Sequence, residues 1–262
     1  MYSSLCEVLG NSFMFWFGFA VVLIFGLCIG SFLNVVILRL PLNESLSSQG
    51  SHCFSCGSSI KWYDNIPLIS YIILRGRCRN CKSRISLQYP VVEFLNAFLW
   101  ELLYLKFQYS VETLIYFALT SILIAISFID EKTFEIPMRL NVLIGILGLV
   151  NIFVDYIYWY NYIIGAFTVS VFLFIVWFIT DGVGFGDVKL MFFAGFLIGW
   201  KLIIVAFLLG CIIAIPVHLI RMKVSNKEHK LAFGPYLSLG IYISLFIGGT
   251  IMDLYLSLLG VF

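Results

Sequence analysis

Charge is what this sequence is short of. Only 11% of its 262 residues are Asp, Glu, Lys or Arg, where a soluble domain carries about 25%. With 61% hydrophobic and 18% aromatic residues and a mean hydropathy of +1.03, that scarcity excludes an ordinary water-soluble enzyme. It equally excludes a disordered chain or a nucleic-acid-binding one, so no nucleic acid is expected as a partner. The net charge of +2 identifies no partner by itself. Internal repeats and low-complexity stretches are also missing. What is left is the composition of a polytopic membrane protein, with the lipid bilayer as its surroundings.

A removable signal peptide is a further absence. Residues 1–11 contain no basic residue, the apolar run after them is too long for an h-region, and no small-residue cleavage site follows. Residues 1–38 are therefore expected to stay as a first span. A spanning helix needs about 20 mostly apolar residues, and such runs occupy 13–38, 91–105, 111–129, 140–154, 162–180, 190–199, 202–220 and 235–259. The pattern predicts an all-α fold with about eight transmembrane helices. Three runs are short, and 190–199 reads either as a span or as a re-entrant segment, which leaves seven open. With the N-terminus outside, segments 39–90, 130–139, 180–189 and 221–234 face the cytoplasm and hold 14 of the 16 Lys and Arg residues. Only Lys106 and Lys201 fall elsewhere. That asymmetry is the positive-inside pattern, and it predicts both termini outside.

Segment 39–90 is the one loop long enough to be a domain. It holds Cys53-x2-Cys56 and Cys78-x2-Cys81, with 21 residues between the pairs, a spacing suited to a tetrahedral four-thiolate zinc site. A cytoplasmic location favours metal over disulfides, and a bound ion would offset the small apolar core of a loop this size. A redox or disulfide pair of motifs is the alternative. His52 is either a substitute ligand or a solvated side chain. Four thiolates close the shell and leave no place for catalytic water, so the expected zinc is structural. Cys6, Cys28 and Cys211 read as small buried apolar residues. Arg75, Arg77, Arg79, Lys82 and Arg84 form a basic cluster, read either as a solvated or lipid-contacting face or as a dock for an anionic group.

Acids against hydrocarbon raise a functional question by default. Most have plain explanations: loops, outer helix ends or, for Glu93, pairing with the basic cluster just before it. Asp130 and Asp187 differ. Asp130 ends the third run and is followed by Ile136-Pro137; Asp187 stands in Gly184-Phe185-Gly186-Asp187-Val188-Lys189 after the fifth. Both map to cytoplasmic helix ends at similar depth. Two carboxyls facing each other share a proton, one acting as base and the other as acid, the chemistry of aspartic peptide hydrolysis. Solvated helix-end acids are the other reading. Asp181 rivals Asp187, while Glu131 and Glu135 rival Asp130.

These residues together resemble the bacterial type IV prepilin peptidases, the GxGD intramembrane aspartyl proteases. The stretches that carry the resemblance begin with Gly30-Ser31-Phe32-Leu33-Asn34-Val35-Val36-Ile37, Arg39-Leu40-Pro41 and the paired cysteine motifs. Asp64-Asn65-Ile66-Pro67-Leu68-Ile69-Ser70-Tyr71 and Leu74-Arg75-Gly76-Arg77-Cys78-Arg79 follow. Asp130 with Ile136-Pro137, Gly184 through Leu190 and Phe233-Gly234-Pro235-Tyr236-Leu237 complete the set. The resemblance runs from about residue 30 to 240. It implies a bacterial inner-membrane peptidase, with its site facing the cytoplasm, that removes the leaders of prepilins or pseudopilins after a glycine. Asp130 and Asp187 match the two catalytic aspartates. It also implies a second activity in chains that keep the cysteine loop, N-methylation of the new N-terminus from S-adenosylmethionine. No GxGxxG locates that donor, so no binding residue is assigned. The expected division is 1–38, a first span; 39–90, a zinc domain bearing the methyltransferase region; and 91–262, the peptidase. Met138-Arg139 departs from the family, which commonly has an acid directly after Ile-Pro. Peptidase without methylation, a zinc-stabilised scaffold and an ion or proton transporter are the competing functions.

Overall fold

The computed structural model describes residues 2–46, 50–180, 182–224 and 231–259. Among them are ten α-helices and no strand. In chain order they are α1 (Tyr2–Arg39), α2 (Ile69–Ile73), α3 (Gln88–Phe107), α4 (Val111–Thr133), α5 (Met138–Val154), α6 (Trp159–Thr168), α7 (Ser170–Ile179), α8 (Phe185–Ile198), α9 (Trp200–Val224) and α10 (Gly234–Leu258). Every apolar run of the sequence is helical. Five stretches are long and apolar enough to cross a membrane: Phe13–Arg39, Val111–Thr133, Tyr156–Ile179, Trp200–Ile220 and Gly234–Leu258. The 14 residues of α8 reach about 21 Å, short of a hydrocarbon core of about 30 Å.

Two compact units divide the chain, 1–121 and 122–262, with the boundary inside α4. In the first, α1 and α3 run antiparallel. Their register is pinned by polar side chains reaching neighbouring backbone: Asn34 Nδ2 donates to the Tyr89 carbonyl at 3.2 Å, Asn96 Nδ2 to Gly26 at 2.7 Å and the Tyr104 hydroxyl to Phe15 at 3.2 Å. In an apolar setting such groups need partners, so each bond also selects the pairing. Asn96 is tied in turn to Ser121 Oγ at 2.8 Å, and Trp100 stacks on Phe117 with centroids 4.5 Å apart.

The second unit is built around α8, which lies parallel to α5 and antiparallel to α6. Gly145 and Gly148 of α5 pack on Phe193 and Phe196, and Asn151 Nδ2 donates to the Leu197 carbonyl at 3.1 Å. On the α6 side, Gly165 and Gly195 meet backbone to backbone. A Cβ built on Gly195 would come within 2.2 Å of the Gly165 carbonyl oxygen, so neither position admits a side chain. Small residues at such crossings are how helices approach closely where no water is expelled. Antiparallel α9 and α10 complete the unit, with Gly240 against Ala206 and a Lys201–Asp253 ion pair of 3.0 Å.

Candidate active site

Pro137 ends one helix and starts the next. The residue before a proline is pushed out of the α region, so α4 stops at Thr133, Phe134 turns with φ of +55°, and Pro137 stands as the N-cap of α5. Asp130 therefore lies in the last turn of α4. It is only 5% exposed, and its Oδ2 accepts the backbone N–H of Gly234 at 2.8 Å. Gly234 is the first residue of α10, where backbone N–H groups have no intrahelical acceptor. Only glycine fits there: a Cβ would sit 2.7 Å from that Oδ2.

Asp187 occupies the first turn of α8 rather than a loop after the fifth apolar run. Gly184 is the N-cap, and Asp187 Oδ2 turns back to accept its N–H at 3.2 Å. Gly186 lies against Ile136, 3.1 Å from where its Cβ would be, so the turn after α4 is packed on the glycine-rich start of α8. Asp187 is 7% exposed. Both acids are thus buried, each is held by a glycine N–H, and the segments that carry them meet where Ile136 packs on Gly186. Their rivals fare differently: Glu131 and Glu135 are exposed, and Asp181 lies outside the described residues.

Two polar residues near these acids drew no attention in the sequence. Asn141 in α5 is fully buried with neither end of its amide bonded, and the buried Ser238 hydroxyl in α10 also has no partner. An orphaned buried group costs about 1–3 kcal/mol. Ser238 stands one turn beyond Gly234, whose N–H holds Asp130, and Asn141 stands one turn beyond Pro137, the N-cap of α5. The one sequence signal would have been amide and hydroxyl groups within the first two turns of otherwise apolar helices.

The cysteine motifs converge in the first unit. The four sulfurs all lie within 4.8 Å of one another, and Cys53 and Cys81 are 3.8 Å apart. Four thiolates about 2.3 Å from zinc would stand about 3.8 Å from one another, so the residues fit a zinc ion. The two knuckles repeat one design. Gly57 N–H donates to Cys53 and Lys82 N–H to Cys78, while Cys53 N–H and Cys78 N–H donate to Ser58 and Ser83. The N–H groups of Ser55 and Cys56, with the Ser83 hydroxyl, pull the Cys53 thiol down to about 6, which favours the thiolate a metal needs. His52 bonds the Gly50 carbonyl and lies outside the four-sulfur cluster.

Neighbouring motifs brace this centre. Arg79 holds Asp64 through three contacts of 2.6–3.1 Å, so that arginine is engaged within the loop. Arg75, Arg77 and Lys82 line a cavity of about 560 Å³ with Ile73 and Leu74. Glu93 does not reach for the arginines. Its Oε2 accepts the N–H of Leu68 at 2.8 Å, because Leu68, at φ of +58°, sits just before α2 with an N–H no helix turn can satisfy.

A family model described as Bacterial Peptidase A24 N-terminal domain matches residues 24–107, and one described as Type IV leader peptidase family matches 117–219. The chain belongs to the type IV leader peptidase family. It is similar along nearly its whole length to curated proteins named prepilin leader peptidase/N-methyltransferase. That of Pseudomonas putida is 33% identical over 269 residues, covering 90% of this chain and 93% of its own. That of Aeromonas salmonicida (strain A449) is 31% identical over 276 residues, 92% and 95% of the two chains. A Myxococcus xanthus relative reaches 43% over 125 residues, 47% of this chain and 37% of its own. No solved structure matches. This leader peptidase family member is therefore an enzyme, and its five apolar helices make it a multi-pass inner-membrane protein. The N-terminal match contains the four cysteines, and the second contains both acids.

Proposed function

We propose that the chain is an aspartic endopeptidase that cuts the leader from type IV prepilins or pseudopilins, after a glycine, at the cytoplasmic rim of the membrane. The observations that support this reading are the burial of Asp130 and Asp187, two carboxyls from separate motifs each fixed by a glycine N–H, and the packing of Ile136, just after the first, on Gly186, just before the second. Two buried carboxyls that face each other do not both ionise at once. The ionised one takes a proton from water as its oxygen attacks the scissile carbonyl carbon. The protonated one hydrogen-bonds the carbonyl oxygen as charge builds there. Collapse of the tetrahedral intermediate breaks the C–N bond, and the departing nitrogen leaves as an amine after taking up a proton from the pair. The bonds from Gly184 and Gly234 leave each carboxyl one oxygen for this work.

The new N-terminal amine is then methylated. S-adenosylmethionine, if bound there, would supply the methyl group from its sulfonium: the S–CH3 bond would break to leave a neutral thioether as the amine nitrogen gains the methyl and loses a proton to solvent. The region for this step is 39–90, kept in shape by zinc on Cys53, Cys56, Cys78 and Cys81, with no donor-binding residue assigned. By function the chain divides into a first span, 1–38, that zinc domain, and the peptidase, 91–262. All eight apolar runs cross the bilayer, α8 with a shortened path, and both termini lie outside. The parallel course of α5 and α8, and the antiparallel course of their neighbours, agree with that alternation.

The test is co-expression with a candidate prepilin and mass analysis of its N-terminus. Shortening at a glycine is the expected result, with one further methyl mass. An unshortened prepilin beside normal levels of the enzyme would overturn the peptidase; shortening without the added mass would remove only the methyl transfer.

A further inference from the structure

Asn141 and Ser238 are buried polar side chains with nothing in the resting protein to bond, although nearly all such groups in folded proteins are paired. Their helices place them. Asn141 shares a face of α5 with Gly145 and Gly148, which pack on Phe193 and Phe196 of α8, while Ile136 abuts Gly186. Since α5 and α8 run parallel, Asn141 comes level with the first turns of α8, about one turn beyond Asp187. Ser238 follows Gly234 by four residues and so stands on the same face of α10, about 6 Å along the axis from the N–H that holds Asp130. One orphan accompanies each acid.

We infer that Asn141 and Ser238 form a clamp for the backbone of the substrate, an inference that rests on the peptidase reading. A peptide that leaves water to reach buried acids loses partners for both its N–H and its C=O groups. An asparagine amide offers the complementary donor and acceptor to one peptide unit, and a serine hydroxyl offers a donor to the next carbonyl. The ligand is an extended polypeptide recognised through its main chain beside the scissile bond.

The experiment uses the full chain in detergent and a synthetic prepilin segment comprising the leader and the start of the mature helix. Asn141→Leu and Ser238→Ala should each lower kcat/KM on the order of 10-fold, mainly through KM, as expected for one lost bond. Thermal stability should hold or rise, because no bond within the resting enzyme is removed. Lower stability with unchanged kinetics would overturn the clamp and make these residues structural, bonded through water. Should the leucine variant not fold, Ser238→Ala, which removes a single oxygen, decides alone. Asp187→Asn separates the two readings. If wild type cleaves, that variant does not, and both orphan variants retain wild-type KM and kcat, the clamp alone is refuted; if wild type leaves the segment intact, the peptidase reading falls and the clamp with it.

Discussion

The cysteine module and the acid pair solve the same problem, placing a few chemically demanding groups together, by opposite means. In the module the partners are near in sequence: each knuckle is closed by its own backbone, and Asp64 meets Arg79 only 15 residues on. In the second unit Asp130 is held by a residue 104 positions away, and the Ser238 hydroxyl, one turn beyond that residue, is left unbonded. The module is locally self-sufficient, as a structural site should be. On the proposed reading the acid site would be completed only by a substrate.

The sharpest way to break this contrast is to remove one acid. Asp130→Asn or Asp187→Asn keeps the shape and should reduce leader removal about 10²–10⁴-fold, read by mass analysis of a co-expressed prepilin, while zinc content stays at one per chain. Loss of zinc in either variant would show that the two sites are not independent. Next comes Gly234→Ala, whose Cβ must displace the Asp130 carboxyl. A shift near 1 Å should lower the cleavage rate on the order of 10²-fold, with Asp130 still present. The converse is Cys53→Ser. It should release zinc, detected by elemental analysis, and abolish the added methyl, yet leave leader removal within about threefold. The smallest effect belongs to Asp64→Asn. The Arg79 guanidinium holds the Asp64 carboxyl below its usual range, so the pair stabilises the loop at neutral pH and loses that contribution as pH falls through the lowered value. The pair is partly exposed, and the melting midpoint should drop by no more than about 2 °C at pH 7.

What the sequence made legible follows the same contrast. The knuckles could be read because their geometry is encoded in adjacent spacing, and the acids because carboxyls at the ends of apolar helices are out of place. The helical runs were legible to within a few residues, except that α1 begins eleven residues and α8 five residues before its apolar run. Gly184 caps that helix through Asp187, and a glycine-rich string reads as a break rather than a start. Glu93 was expected to pair with the arginines beside it in sequence, but a positive φ at Leu68 supplied a backbone donor instead. Nothing local announces that Gly234 will meet Asp130. Asn141, set among leucines and isoleucines, carries no mark of its neighbours until α5 is laid along α8.

The brevity of α8 bears on the supply of the reaction's other reactant. Under the proposed topology a helix of 14 residues is shorter than the hydrocarbon core, and because the second unit is built around it, protein and not lipid covers its sides. A helix that starts below the membrane surface would leave a recess above its first turn, where Asp187 sits, that water could enter from the cytoplasm. Under the proposed peptidase reading such a recess would hydrate the two carboxyls without a dedicated channel, and a longer eighth helix would close it.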